Sequence, residues 1–306
     1  MKTLDYVTCD VFTDQAFGGN PLAVVFGAEG LPTETLQAIA AEFSYSETTF
    51  VLPPKDPANT AQVRIFTPGY EMPFAGHPNV GTGFVLAQRG ELFGKAIGDQ
   101  MVFEEIAGLV PIEVERDAAG QIAGIRITAP KLPGDPVTVP AAPVAEAVGL
   151  TAADIDLSDT EPTLLEAGPS FVMVPITSRE ALARAKTANP NVDMPPVLRD
   201  GSIGLMLFVR DGEGDPAPVS ARMFPLDPEM AGLTEDPATG SASAILAGHL
   251  QRAAKDAPTR LRISQGVDMG RPSVIETEVR VDQAGQAEAI TVTGQCVTMM
   301  TGSLSL

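Results

Sequence analysis

Cysteine is scarce in this 306-residue chain, with Cys9 and Cys296 as its only two. Two thiols cannot staple a fold of this size, which excludes a disulfide scaffold, and each lies in an apolar, strand-like run where a buried thiol is the ordinary outcome. Histidine is equally scarce: His77 and His249 are far apart and have no clustered partners, so no metal site is expected. Positive charge is short as well. The 20 Lys and Arg stand against 39 Asp and Glu, for a formal charge of −19. No basic stripe interrupts this surplus, which excludes a surface for the phosphate backbone of nucleic acid and leaves solubility as the role of the acidity. Long apolar runs are also missing. No stretch approaches the roughly 20 residues of a membrane span, and the opening MKTLDYVTCDVF lacks the apolar core and cleavage pattern of a signal peptide. A cytoplasmic protein with no membrane partner is expected.

What is present is enough for a large core. Apolar residues make up 44% of the chain, and the length fits about two domains. Alternating runs predict strands at LDYVTCDVFT, LAVVF, TTFVLP, VRIFTP, MVFEEI, VPIEVERD and GIRITAP. TETLQAIAAEF carries Leu36, Ile39, Ala40 and Phe43 at helical spacing, and a second helix is expected after Gly76-His77-Pro78, stopping near Gly90. Proline density rises around APKLPGDPVTVPAAP and marks a crossover into a second half. That half reads as helix PVAEAVGL, strand FVMVPI, helix SREALARAK, strands GLMLFV and VSARMF, a helix reaching Leu250, and four closing strands. ANPNVDMPPVLRDG and RDGEGDPAP read as solvent loops. The expected class is α+β: two pseudo-symmetric lobes of mostly antiparallel or mixed sheet with embedded helices. The N-terminal lobe is residues 1–128, completed by 295–306, and the C-terminal lobe is 129–294.

The informative feature is a repeat. His77-Pro-Asn-Val-Gly-Thr-Gly and Asp236-Pro-Ala-Thr-Gly-Ser-Ala both spell a polar residue, proline, two residues, glycine, a hydroxyl and a small residue, and each follows an extended run. Each copy taken alone is ordinary helix punctuation. The repetition, with polar His77 matched by polar Asp236, argues for two related helix starts. A helix start gathers free backbone N–H groups and the positive end of the dipole, so two starts facing one cleft would clamp an anion, a carboxylate or phosphate of a small metabolite. Gly76, Gly81 and Gly240 let main chain approach such a ligand.

A group able to take and return a proton is supplied by Glu47, within FSYSETTFVL. Its apolar neighbours Phe43, Tyr45, Phe50 and Val51 would bury it and raise its pKa above the usual value of about 4.3, which suits a base that later serves as acid. The plain alternative is a capping or surface glutamate. His249 lies beyond the signature, as a structural or solvent-facing residue. Ser241, His77 and Asp236 are the residue types of a nucleophilic triad, but TGSAS is not the G-x-S-x-G elbow, and a serine on the first helical turn is an expected hydrogen-bonding residue.

Read together, GGNPLAVV, SETTFV, RIFTP…EMPFAGHPNVGT, EDPATGSA and SQG…GRPS resemble the phenazine-biosynthesis PhzF-like isomerase family, in family order from Asn20 to Ser273. The resemblance implies the diaminopimelate-epimerase-like fold, each lobe a sheet wrapped around a central helix. It gives the acid/base role to Glu47, supporting roles to His77, Asp236 and Ser241, and substrate-binding positions at Asn20, Gly76 and Gly240. It implies a homodimer and a proton-shift isomerisation with no cofactor and no metal. Relatives of this fold that use two cysteines have no match here, since neither Cys9 nor Cys296 falls in a signature. A Gly-Gly-like turn of the family is replaced by Gly294-Gln295. Two other readings stay open: a noncatalytic small-molecule-binding protein, which needs the helix starts but no Glu47, and a two-base epimerase, for which Asp236 is the obvious second base.

Overall fold

The computed structural model describes residues 2–187, 189, 192, 193, 195–199, 204–214, 216–226, 234–253 and 259–306. The chain is mixed α+β, mostly sheet, and divides into two compact units: Met1–Pro130 with Thr291–Leu306, and Lys131–Ile290. Among the described residues the α-helices are α1 (Thr33–Phe43), α2 (Gly76–Arg89), α3 (Ala141–Ala147), α4 (Arg179–Arg184), α5 (Pro196–Arg199) and α6 (Gly240–Ala253). None of those described is long and apolar enough to cross a membrane.

In the first unit, Cys296–Ser305 pairs antiparallel with Thr3–Val11, which pairs antiparallel with Asn20–Phe26. Asn20–Phe26 runs parallel to Glu47–Leu52, and α1 forms the crossover between them. The sheet continues antiparallel to Ala61–Phe66, parallel to Gln100–Glu105, then antiparallel through Gly108–Arg116, Ile122–Thr128 and Thr291–Gly294. Helix α1 buries Leu36, Ile39 and Ala40, one stripe of its surface, against Leu4, Val25, Phe50 and Phe66. Phe43, expected on the same stripe, is only partly buried and meets Tyr6 edge-on at 5.1 Å.

Helix α2 is different in kind. Every residue from Gly76 to Leu86 is buried, and the helix packs on six strands of this sheet. Three glycines and a proline make it a poor helix by propensity, so tertiary burial decides. The glycines also explain how it fits. A Cβ on Gly81 would lie 2.5 Å from Leu22 Cδ2 and 2.7 Å from Val11 Cγ2, and one on Gly83 would lie 2.8 Å from Ile112 Cγ2. The helix begins at Gly76 rather than after Pro78, so His77 and Pro78 stand in its first turn, where a proline lacks nothing the helix needs. It closes on Gly90 in the left-handed conformation.

The second unit repeats the plan. Thr163–Glu166 pairs antiparallel with Ser170–Pro175, which runs parallel to Gly204–Arg210. Ala217–Pro225 follows antiparallel, then Arg260–Gln265 parallel and Ser273–Val281 antiparallel. Helix α6 is the crossover into Arg260–Gln265 and is buried along Ala242–Leu250. Helix α3 ends at Ala147, short of the predicted stretch through Leu150, because Gly149 takes a positive φ of 70°. The predicted loop ANPNVDMPPVLRDG contains the single turn α5, and its residues 188, 190, 191, 194, 200 and 201 lie outside the described residues, as does 215 in RDGEGDPAP.

Gly81→Ala tests whether close packing or helix propensity governs α2. Alanine is the better helix former by up to about 1 kcal/mol, but forcing a methyl into a filled core costs about 1–3 kcal/mol. The variant is expected to melt below the wild type in a thermal scan. A higher melting temperature would show that the helix has room to shift.

Candidate functional site

Asn20 and Glu47 are the first residues of neighbouring parallel strands, with Glu47 in register with Leu22. Gly19 must come just before Asn20 because it holds φ at 61°, and a Cβ there would lie 2.3 Å from Val11 O. The turn ahead of it is tied down by Asp10, whose Oδ2 accepts the Phe17 N–H at 2.8 Å. On the other side, the Thr49 and Thr82 hydroxyls meet at 2.9 Å and register α2 on the strand that carries Glu47.

These elements bring Asn20, Glu47 and His77 together. Asn20 Nδ2 lies 3.3 Å from His77 Nδ1, and His77 Nε2 lies 3.3 Å from Glu47 Oε2. Ser46 Oγ donates to Asn20 Oδ1 at 3.2 Å. Glu47 is 7% exposed and His77 4%, so the plain alternative of a surface glutamate does not hold. Burial pushes the His77 imidazole down to about 3, so it is neutral at physiological pH. Gly76 opens α2 directly before His77, and no side chain caps that helix start.

In the second unit, Asp236, Gly240 and Ser241 share one turn. Thr239 Oγ1 donates to Asp236 Oδ2 at 2.5 Å, and Gly240 and Ser241 begin α6. Gln265, Gly266 and Arg222 hold this turn. Gln265 donates from Nε2 to Asp236 O at 2.8 Å and to Thr239 Oγ1 at 3.0 Å, and its Oε1 accepts the Thr239 N–H at 3.2 Å. Next to it, Gly266 keeps φ at 73°, where a Cβ would lie 2.6 Å from Pro237 O. Arg222 makes a two-point pair with Glu235 at 2.8 and 2.7 Å and donates to the carbonyls of Leu182, Ala183 and Ala185. The SQG stretch was visible as a motif, but nothing local marks Gln265 as a brace for a turn 26 residues earlier in the chain.

Neither thiol is equipped as a base. Cys9 and Cys296 both lie in the first unit, on paired strands, and burial raises both above the ordinary thiol range. His249 is buried, not solvent-facing, with its imidazole pushed down to about 4 by burial and by Arg252. Among the described residues no group of three or more His, Cys, Asp or Glu is placed to hold a metal ion.

A further carboxyl went unremarked in the sequence. Glu105, at the end of its strand, has both oxygens shut away from solvent. Burial pushes it up to about 8, with the Asn79 amide of α2 pulling the other way. Asn79 in turn donates to Ala75 O at 3.0 Å, so Glu105 backs the helix start that carries His77.

A model of the family described as phenazine biosynthesis-like protein (PhzC-PhzF) matches residues 9–302. An uncharacterized isomerase of Mesorhizobium japonicum is 38% identical over 313 residues, covering 99% of each chain. The trans-2,3-dihydro-3-hydroxyanthranilate isomerase of Pseudomonas fluorescens is 32% identical over 305 residues, again 99% of each. The crystal structure of a PhzF-family phenazine biosynthesis protein from Bacillus anthracis matches with a TM-score of 0.86 over 100% of both chains, at 26% identity. A hydroxyproline epimerase from Agrobacterium vitis shares the fold, with a TM-score of 0.61 at 13% identity over 99% of this chain and 93% of its own.

Glu105 sets a pH dependence of stability. Its folded pKa of about 8 exceeds the ordinary 4.5, so between those values the folded chain keeps a proton that the unfolded chain has released. Stability from this group is therefore full below pH 4.5 and is lost as pH rises toward 8. Glu105→Gln removes that loss. The variant should gain on the wild type as pH rises through this window, by on the order of 1–3 kcal/mol at its upper end. Denaturant melts at pH 5 and pH 8 read the difference, and an equal gap at both would refute the protonated carboxyl.

Proposed function

This chain belongs to the phenazine biosynthesis-like (PhzC-PhzF) family and is an isomerase, and we propose that it moves a proton within a small carboxylate-bearing metabolite with Glu47 as the single acid/base. The observation that supports this most directly is the buried Glu47 carboxylate 3.3 Å from a neutral imidazole. A carboxylate screened from water is a stronger base than a hydrated one, and a neutral neighbour stabilises it without neutralising it.

In the proposed reaction Glu47 removes a proton from one carbon of the substrate. The electron pair left behind moves through an adjacent double bond, and Glu47 returns the same proton to the carbon where that pair arrives. One C–H bond breaks, one forms, and the double bond shifts; the formula and overall oxidation level are unchanged, so the step calls on no redox partner. The start of α2 at Gly76 offers backbone N–H groups to a substrate carboxylate. In the same reading Asp236, Gly240 and Ser241 hold other polar groups of the substrate. A second base is not required, and the two thiols, kept protonated by burial, do not supply one.

The named activity of the Pseudomonas fluorescens relative supplies the first probe, trans-2,3-dihydro-3-hydroxyanthranilate, to be followed by other small unsaturated carboxylic acids. Incubated in deuterated water and followed by NMR, wild-type protein should isomerise the accepted acid and exchange the migrating proton. Glu47→Gln should lower the rate by about 10²–10⁴-fold or more while leaving the melting temperature and ligand binding near wild type. His77→Asn should lose less. Wild-type turnover by a folded Glu47→Gln would assign the base elsewhere.

A further inference from the structure

The contacts around His77 carry information about where its proton sits. We infer that Asn20 is a positioning residue that holds His77 as the neutral imidazole with its proton on Nε2, directed at Glu47 Oε2. The assignment rests on the proton-shuttle reading, in which Glu47 begins as a carboxylate.

The chain of contacts begins at Ser46. Its hydroxyl lies 3.2 Å from Asn20 Oδ1, and the amide Nδ2, a group that can only donate, faces His77 Nδ1 at 3.3 Å; a hydroxyl donates or accepts, so Ser46 is compatible with either turn of the amide and the choice falls to the groups beyond it. Nδ1 must then accept. A neutral imidazole has one N–H, and burial keeps this one neutral down to about pH 3, so the proton is on Nε2. Nε2 in turn lies 3.3 Å from Glu47 Oε2, a contact longer and more bent than a fully formed charge-assisted bond.

The reverse arrangement is also self-consistent but describes another state. With the Asn20 amide turned over, Oδ1 would accept from Nδ1–H, and the lone pair of Nε2 would face Oε2. Two acceptors can face each other only if the carboxyl is protonated there. A base that begins as a carboxylate excludes that arrangement. The two oxygens of Glu47 thereby differ. Oε2 is shut off from solvent against the imidazole. The substrate-binding role expected for Asn20 becomes a role one step back from the chemistry.

The test needs no substrate, since the chain has only two histidines. Protein labelled with 15N-histidine, with His249→Gln to assign the second residue, is followed by NMR at neutral pH. His77 should show a protonated, pyrrole-type Nε2 and an unprotonated, pyridine-type Nδ1. Asn20→Asp replaces the donor with an acceptor and should pull the proton to Nδ1, reversing the two signals. A wild-type spectrum with Nδ1 protonated overturns the proposal, as does an Asn20→Asp protein whose tautomer is unchanged. If the spectra are as expected but Glu47→Gln still exchanges protons, the shuttle fails and the tautomer assignment stands. The opposite pair of results removes Asn20 and leaves Glu47.

Discussion

The burial of α2 is the constraint on which the first unit depends. A segment with glycines at 76, 81 and 83 would not be helical on its own, and it is helical here because a sheet closes around it. Its small residues are what allow the closure, since Leu22, Val11 and Ile112 occupy the volume that side chains would take. Burial then has an electrostatic consequence. His77, on the first turn, is taken out of water and stays neutral 3.3 Å from Glu47 Oε2, so the two do not form an ion pair.

The second unit solves a related problem with polar groups. Asp236 is 5% exposed, and a carboxylate in that position needs donors. Thr239 supplies one directly, and Gln265 holds both Thr239 and the Asp236 carbonyl with a single amide. The Arg222–Glu235 pair fixes the residue just before Asp236, and Arg222 uses its remaining donors on three carbonyls. Buried charges of this kind contribute little net stability. What they contribute is a defined path for the main chain into α6.

The division of labour among titratable groups follows from burial and partners. Burial pushes the two thiols and Glu105 toward their protonated forms, and the backbone donor at Cys296 and the Asn79 amide at Glu105 offset only part of it. Glu47 is buried too, and it faces a neutral imidazole at 3.3 Å.

Much of this was legible from the residues alone. The repeat around His77-Pro78 and Asp236-Pro237 marked two helix starts, and both lead into buried helices, because glycine, proline and hydroxyl signals act over a few residues. Glu47 stood out because apolar neighbours in sequence foretold its burial. Gln265, Arg222, Glu105 and the burial of His249 did not stand out, and neither did the link between Asn20 and His77, which lie 57 residues apart. The sequence by itself determined the kinds of element, their order and the chemical types available for a proton transfer, since these depend on local periodicity and on side-chain identity. Only the tertiary structure decided which imidazole nitrogen faces which oxygen, and which carboxyls are shut off from water. Hydrogen bonds and desolvation are set by distances of a few ångströms between residues that long-range strand register alone brings together.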